Sequence, residues 1–104
     1  MALTREFRET VLARVHRDPA FAKRMLAEAL NACLGGEPAA GKTILRDVIN
    51  ATAGFEPLAA ALGKPSQSLH RMLGPGGNPS TENFFAILRV VQQKAGVRLK
   101  VLAA

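Results

Sequence analysis

The chain has 104 residues, of which 48% are hydrophobic and 21% are charged, and these proportions are typical of one globular domain. It contains no run of about 18 apolar residues that could span a membrane, and charged residues interrupt residues 1–15, so no signal peptide is predicted. The single cysteine, Cys33, excludes an internal disulfide and a cysteine-rich zinc site. We therefore expect one cytoplasmic domain covering residues 1–104.

The net charge is +6, and the excess of basic residues is concentrated in the C-terminal half of the chain. Residues 1–54 carry eight Lys and Arg against six Asp and Glu, whereas residues 55–104 carry six against two. A basic region attracts polyanions through phosphate contacts and the release of counterions. Charge alone does not identify the partner, because many basic proteins bind no nucleic acid.

Three helices are predicted in the N-terminal half. Thr4 is expected to cap the first, and Asp18 to cap the second, with Pro19 in its first turn. The glycine pair at residues 35–36 ends the second helix, and Pro38 begins the third. The apolar positions expected to face the core are Leu3, Phe7, Val11, Leu12 and Val15 in the first helix, Phe21, Met25, Ala29, Leu30 and Cys33 in the second, and Ile44, Leu45, Val48 and Ile49 in the third.

Residues 55–73 predict two short helices joined by a tight turn. Gly63 ends the first helix because a left-handed residue is needed there, and Pro65 prevents the helix from continuing. The inward positions are Phe55, Leu58, Ala59 and Leu62 in the first helix and Leu69, Met72 and Leu73 in the second. The outward side of the second helix is polar and basic, with Ser66, Gln67, Ser68, His70 and Arg71.

One more helix and a tail are predicted after the glycine-rich loop of residues 74–77. Either Asn78 or Ser80 caps the helix, and Gly96 ends it. Its buried side is expected to contain Phe84, Ile87, Leu88 and Val91, with Phe85 sharing in it. Residues 97–101 alternate apolar and basic side chains, which predicts a half-buried strand. Such a strand needs a partner, either the same segment of a second copy across a two-fold axis or the sheet of another protein. A frayed or helical terminus is the alternative.

One sequence match to a catalytic motif is rejected. Residues 36–43 fit the phosphate-binding pattern G-x-x-x-x-G-K-[ST], with Lys42 as its lysine. That chemistry requires a buried strand before the loop, and a helical pattern precedes it here. His16 and His70 are far apart and lack a Cys or carboxylate at ligand spacing, so neither a metal nor a cofactor is predicted. We expect no catalytic residues and interpret the chain as a binding protein rather than an enzyme.

The paired short helices resemble the DNA-binding helix-turn-helix of Cro and phage repressors. The resemblance rests on Ala59 where the helices cross, Gly63 in the turn, and Leu69 six residues later, whereas Lys64 and Pro65 depart from the usual turn residues. Residues 54–80 also look like the HigA-type antidote proteins of addiction modules. That resemblance, which extends over most of the chain, implies a RelE-like toxin as partner and repression of a shared operon.

Six residues are the candidate DNA contacts by position in the helix-turn-helix pattern. Gln67 can read adenine and Arg71 can read guanine or grip a phosphate, and His70 and Ser66 would also face the major groove. Lys64 and Ser68 are candidate phosphate contacts. For each of them, the alternative is a solvated polar residue on a short helix.

The sequence thus predicts an all-α fold of five or six helices, with a helix-turn-helix at about residues 55–73 and a short C-terminal β-strand. Within the single domain, residues 1–54 form N-terminal helices, 55–95 the helix-turn-helix core, and 96–104 the tail. The predicted function is a homodimeric, sequence-specific repressor that binds double-stranded operator DNA and acts as an antitoxin. The alternatives are a stand-alone regulator, an interaction module without specific DNA binding, and a nucleotide-binding enzyme.

Overall fold

The computed structural model describes residues 19–104, and all regular secondary structure in this part of the chain is helical. The five helices are α1 (Pro19–Leu34), α2 (Pro38–Ala51), α3 (Phe55–Leu62), α4 (Ser66–Met72) and α5 (Thr81–Ala95). The predicted all-α fold is confirmed here, whereas the helix expected near Thr4 and the cap at Asp18 lie outside the described residues. The longest of the five helices has 16 residues, and none of them is long and apolar enough to cross a bilayer.

A close crossing joins α1 to α2, which form a hairpin connected by residues 35–37. Gly41 is buried, and a methyl group there would lie 2.7 Å from the Ala29 carbonyl oxygen and would overlap the Cys33 sulfur. A residue without a side chain therefore lets the two backbones approach each other. Residues 38–43, the greater part of the phosphate-binding sequence match, lie in a helix packed on α1 and not in a loop that follows a strand.

The buried side of α1 differs from the prediction, whereas three of the four positions predicted for α2 are confirmed. The fully buried residues of α1 are Ala22, Leu26 and Ala29, and the other predicted positions, Phe21, Met25, Leu30 and Cys33, are only half-buried. Apolar residues cover most of the circumference of α1, so periodicity alone does not select the centre of its buried side. In α2, Leu45, Val48 and Ile49 are buried, as predicted, whereas Ile44, which was also expected to face the core, is half-buried.

One hydrophobic core unites the five described helices. Each helix contributes at least one side chain that is at most 1% exposed, and these include Leu26, Leu45, Leu58, Leu69 and Ile87. Burial of such a side chain contributes about 1.5–3 kcal/mol relative to its exposure to water. The two short helices are therefore part of the same core as the longer ones, and their outward sides are fixed by what they bury.

Helix α5 begins after Ser80, whose Oγ accepts a hydrogen bond of 3.1 Å from the Asn83 backbone N–H. Ser80, and not Asn78, is therefore the cap. The helix ends at Gly96, which has a left-handed φ of 67°. The prediction that Phe85 shares in the buried side was wrong, because its side chain is 58% exposed. The buried residues are Ile87, Leu88 and Val91, while Phe84 is half-buried.

The predicted C-terminal strand was wrong for the single chain, because no β-strand occurs within residues 19–104. A strand requires a neighbouring strand, and this part of the chain supplies none. The alternation of burial is nevertheless present, with Val97 and Leu99 half-buried and Arg98 and Lys100 exposed. The Leu99 N–H donates a 2.8 Å hydrogen bond to the side-chain oxygen of Gln92, so a helix side chain takes the place of one ladder partner.

Candidate nucleic-acid interface

The turn between α3 and α4 is built on a left-handed glycine. Gly63 has φ 64°, and its N–H donates to the Ala60 carbonyl at 3.3 Å, while the Lys64 N–H donates to the Ala59 carbonyl at 3.1 Å. This pair of bonds is the Schellman arrangement, which satisfies the last carbonyls of α3. The chain then turns through Pro65, and α4 begins at Ser66 despite the unusual turn residues.

Helix α4 has one buried side and one exposed side, as predicted. Leu69 is 0% exposed and Leu73, which follows the last helical residue, is 1% exposed. Gln67, His70 and Arg71 are exposed. With seven residues, α4 is about 10 Å long, and a major groove about 12 Å wide admits an α-helix.

Ser66 has a bonding partner that the sequence pattern does not reveal. Its hydroxyl donates a hydrogen bond of 2.9 Å to the Glu56 carboxylate oxygen Oε1, in the first turn of α3. This bond links the amino-terminal ends of the two short helices. Because the hydroxyl proton is used in this bond, Ser66 cannot donate it to DNA at the same time. Its oxygen can still accept a hydrogen bond from an exocyclic amine of a base.

His70 is exposed, but one face of its ring has an aromatic neighbour. Its ring stacks on that of Phe55, with 3.8 Å between ring centroids and 20° between ring planes. The contact covers one face of the imidazole and leaves its edge accessible, and Phe55 itself is 6% exposed. Stacking on Phe55 favours one plane for the imidazole, and in that plane the edge of the ring is open to solvent.

An open groove of about 420 Å³ lies beside the end of α4. Ser68, Arg71 and Met72 line it on the helix side, and the loop of residues 75–78 lines it opposite. Asn78, which sequence analysis considered only as a helix cap, adds an amide to this groove. The hydroxyl, guanidinium and amide groups are all hydrogen-bond donors, and donors suit phosphate oxygens and the acceptor edge of guanine.

The six predicted site residues thus fall into two sets and one separate residue, Lys64. Gln67 and Arg71 project from the exposed side of α4, and the half-buried Ser68 lies beside Arg71 in the groove. Ser66 and His70 are each held by a residue of α3. Lys64, a predicted phosphate contact, is half-buried in the turn. The contacts of Ser66 with Glu56 and of His70 with Phe55 were not predicted. The only sequence signal for them is the pair of residues, one aromatic and one acidic, at the start of α3.

Lys42, the lysine of the rejected phosphate-binding match, contacts the same region from α2. Its Nζ donates a hydrogen bond to the carbonyl oxygen of Gly77, in the loop after α4. The side chain is half-buried. The lysine therefore points at the end of the helix-turn-helix and not toward a phosphate-binding loop of its own.

Comparisons of the chain with protein-family models, with curated proteins and with solved structures found no match. The functional interpretation therefore depends on the residues of this chain and on their geometry.

Proposed function

We propose that this protein is a sequence-specific repressor that binds double-stranded DNA as a homodimer, with α4 as its recognition helix. The observation that carries the proposal is the division of α4, which buries Leu69, with Leu73 buried directly after it, and exposes Gln67 and Arg71. A short helix held against a preceding short helix, with a polar and basic outward side, is the arrangement that a helix-turn-helix needs. The excess of basic residues in this half of the chain adds long-range attraction to DNA.

Gln67 and Arg71 are the base-reading residues of the proposal. The amide of glutamine can donate to and accept from the N6 and N7 edge of adenine, and the fork of arginine matches O6 and N7 of guanine. Each good bidentate contact contributes about 1–3 kcal/mol to discrimination. The two side chains are four residues apart, so they lie on neighbouring turns of the same side of the helix.

The other four candidate residues support these two. Ser66 fixes the start of α4 through Glu56, and His70 presents one ring edge beside Arg71. Lys64, in the turn before the helix, and Ser68, in its first turn, contact phosphates in this proposal. Contacts to phosphates set the position of the helix in the groove, and contacts to bases supply the specificity.

The homodimer is formed by the C-terminal tails in this proposal. Val101 and Leu102 are 83% and 82% exposed, and pairing of residues 97–101 with the same segment of a second copy would supply the missing strand neighbour. Two recognition helices related by a two-fold axis would then enter major grooves about 34 Å apart. Sedimentation of wild type and Val101→Asp tests this part, and we expect the substitution to shift dimer to monomer.

The resemblance to HigA-type proteins adds the last part of the proposal. The protein would neutralise a RelE-like toxin encoded beside it and repress the operon of both genes. The test is growth of cells that express the adjacent gene with and without this chain. Growth arrest that this chain relieves supports the antitoxin role, and equal growth in both cases restricts the protein to stand-alone regulation.

Fluorescence anisotropy of labelled duplexes tests DNA recognition. Wild type, Arg71→Ala and Arg89→Ala are titrated with the gene's own upstream duplex and with a scrambled duplex, across a salt series. Arg89 is an exposed arginine of α5, so its substitution is matched in charge. We expect wild type to prefer the upstream duplex about 1,000-fold, Arg71→Ala to lose roughly 10- to 100-fold of that preference, and Arg89→Ala to retain it. If wild type instead binds both duplexes equally, with an affinity that falls steeply as salt rises, then the binding is non-specific attraction to a basic surface. That result would contradict sequence-specific recognition.

A further inference from the structure

The loop that follows the recognition helix is packed directly onto the end of that helix. The Gly74 N–H donates to the Arg71 carbonyl at 3.2 Å, and the Gly77 N–H donates to the Gly74 carbonyl at 3.0 Å. A methyl group on Gly77 would lie 2.5 Å from the Met72 carbonyl oxygen, so only a bare backbone fits there. Any group that holds Gly77 therefore also holds the last turn of α4.

Lys42 is such a group, and it comes from the distant helix α2. Its ammonium donates to the Gly77 carbonyl, between residues that are 35 positions apart in sequence. Because Gly77 lies against the last carbonyls of α4, the ammonium is placed at the carboxyl end of that helix. The helix dipole favours a positive charge at this end. The contact thus joins the α1–α2 hairpin to the carboxyl end of α4, the proposed recognition helix.

We infer that Lys42 is a positioning residue for DNA recognition, which sets the end of α4 that carries Arg71 without touching DNA itself. The inference rests on the proposed function. A bidentate contact to a base requires its side chain to be held to within about 0.5 Å. Helix α4 has only seven residues, and an isolated helix of that length is unstable in water. A looser carboxyl end would therefore weaken base contacts more than contacts to the DNA backbone.

A direct phosphate contact is the competing role for Lys42, and salt dependence separates the two. A lysine that neutralises a phosphate contributes about one unit to the slope of binding against salt, for any DNA sequence. A positioning lysine contributes nothing to that slope but changes the preference between sequences. Burial of part of the Lys42 side chain and its bond to a carbonyl oxygen favour positioning.

The experiment compares Lys42→Met, which keeps most of the side-chain length but removes the ammonium, with Lys42→Arg, which keeps the charge and a donor. Lys23→Met is the matched control, because Lys23 is an exposed lysine of α1. Anisotropy with the upstream and scrambled duplexes is measured across a salt series. We expect Lys42→Met to lose about tenfold of the preference, comparable with the loss of one good base contact, at an unchanged salt slope. Lys42→Arg should restore most of the preference, and Lys23→Met should resemble wild type.

Two results overturn the inference. One is a parallel loss of affinity for both duplexes with a salt slope lower by about one, which indicates a phosphate contact. The other is a Lys42→Met variant that prefers the upstream duplex over the scrambled duplex as strongly as wild type does, which shows that Lys42 does not contribute to specificity. Amide hydrogen exchange of Gly74 and Gly77, whose N–H groups are hydrogen-bonded within this loop, adds a readout in the free protein without DNA, and we expect faster exchange in Lys42→Met. If wild type does not discriminate the duplexes, the proposed function and the specificity role both fail, while the exchange rates still decide whether Lys42 holds the loop.

Discussion

The two helix pairs of the described chain are built differently. Helices α1 and α2 have 16 and 14 residues, and they share the most extensive contact between any two of the five helices. Helices α3 and α4 have eight and seven residues and a smaller mutual contact. The longer pair is closed by the absence of a side chain at Gly41. The shorter pair is held by two side-chain contacts between its own helices and by one contact from α2 to the loop after α4.

The difference shows how a short helix can present a defined surface. Neither α3 nor α4 is long enough to be stable alone, so the core and a few side chains must fix both. Leu58 and Leu69 supply the apolar part. The polar and aromatic part consists of three contacts, Ser66 with Glu56, His70 with Phe55, and Lys42 with Gly77. The longer pair serves as the support to which the shorter pair is fastened.

The largest effect is expected from Leu69→Ala, which removes the main apolar anchor of α4. Leu69 is 0% exposed, so the substitution leaves a cavity and should lower the free energy of unfolding by about 2–5 kcal/mol. Leu102→Ala is the matched control, because Leu102 is 82% exposed, and it should change stability by about 0.5 kcal/mol or less. Urea denaturation measures both. Equal effects of the two substitutions would mean that α4 is not anchored through Leu69.

The next effect is expected from Gly41→Ala in the longer pair. The added methyl group would overlap atoms of α1, and such overpacking costs about 1–3 kcal/mol, which outweighs the higher helix propensity of alanine. Ala40→Gly, at an exposed position of the same helix, should instead cost about 1 kcal/mol through propensity alone. Alanine should therefore give a less stable protein than glycine at position 41, and a more stable protein than glycine at position 40. A stabilising Gly41→Ala would show that the helices do not cross closely.

A smaller effect is expected from His70→Ala in the shorter pair. The substitution removes the ring stacked on Phe55, and an aromatic pair of this kind contributes about 0.5–1.5 kcal/mol beyond its buried area. Gln67→Ala is the control on the same helix, because Gln67 is exposed and has no stacking partner in the described structure. Thermal unfolding of both variants measures the difference. If the two variants melt together, the stacking does not hold α4.

The smallest effect is expected from Asp47→Asn in α2. Burial raises the pKa of the Asp47 carboxyl above its ordinary value of 3.8, and the neighbouring Arg46 guanidinium acts in the opposite direction. A raised pKa in the folded state means that ionisation of this group weakens the fold as the pH rises above 3.8. Asp47→Asn should therefore match wild type well below that pH and be slightly more stable near neutrality. Urea denaturation, carried out well below pH 3.8 and again near neutrality, measures the free energy of unfolding of both proteins. A variant that is less stable than wild type near neutrality would contradict the expected direction of the pKa shift.

Much of the fold was predictable, because local signals decide it. Gly63 and Gly96 end their helices where the sequence predicts, and both adopt the left-handed conformation. Two local predictions were wrong where apolar residues are abundant, since Leu26 proved central to α1 and Phe85 proved exposed. The C-terminal strand was wrong because strand formation depends on a neighbour that residues 19–104 do not contain.

The candidate site was predictable only in part, for the same reason. The exposure of Gln67 and Arg71 follows from the burial of Leu69, because all three lie on one short helix. The contacts that hold the site join residues 10 and 35 positions apart in sequence. No periodicity or motif contains such pairings, and they emerge only when the helices pack. Lys42, the lysine of the rejected nucleotide motif, is an example. It bonds to the carbonyl oxygen of Gly77, and nothing in the sequence pattern indicates this pairing.

Mapping of the DNA contact by NMR tests the central claim most directly. Uniformly ¹⁵N-labelled protein is titrated with the upstream duplex and, separately, with the scrambled duplex, and backbone amide shifts are followed. We predict that the upstream duplex causes its largest shifts at Gln67, His70 and Arg71, and that the scrambled duplex does not reproduce this pattern. Shifts concentrated on α1 and α2, or the same pattern with both duplexes, would contradict recognition of DNA sequence by α4.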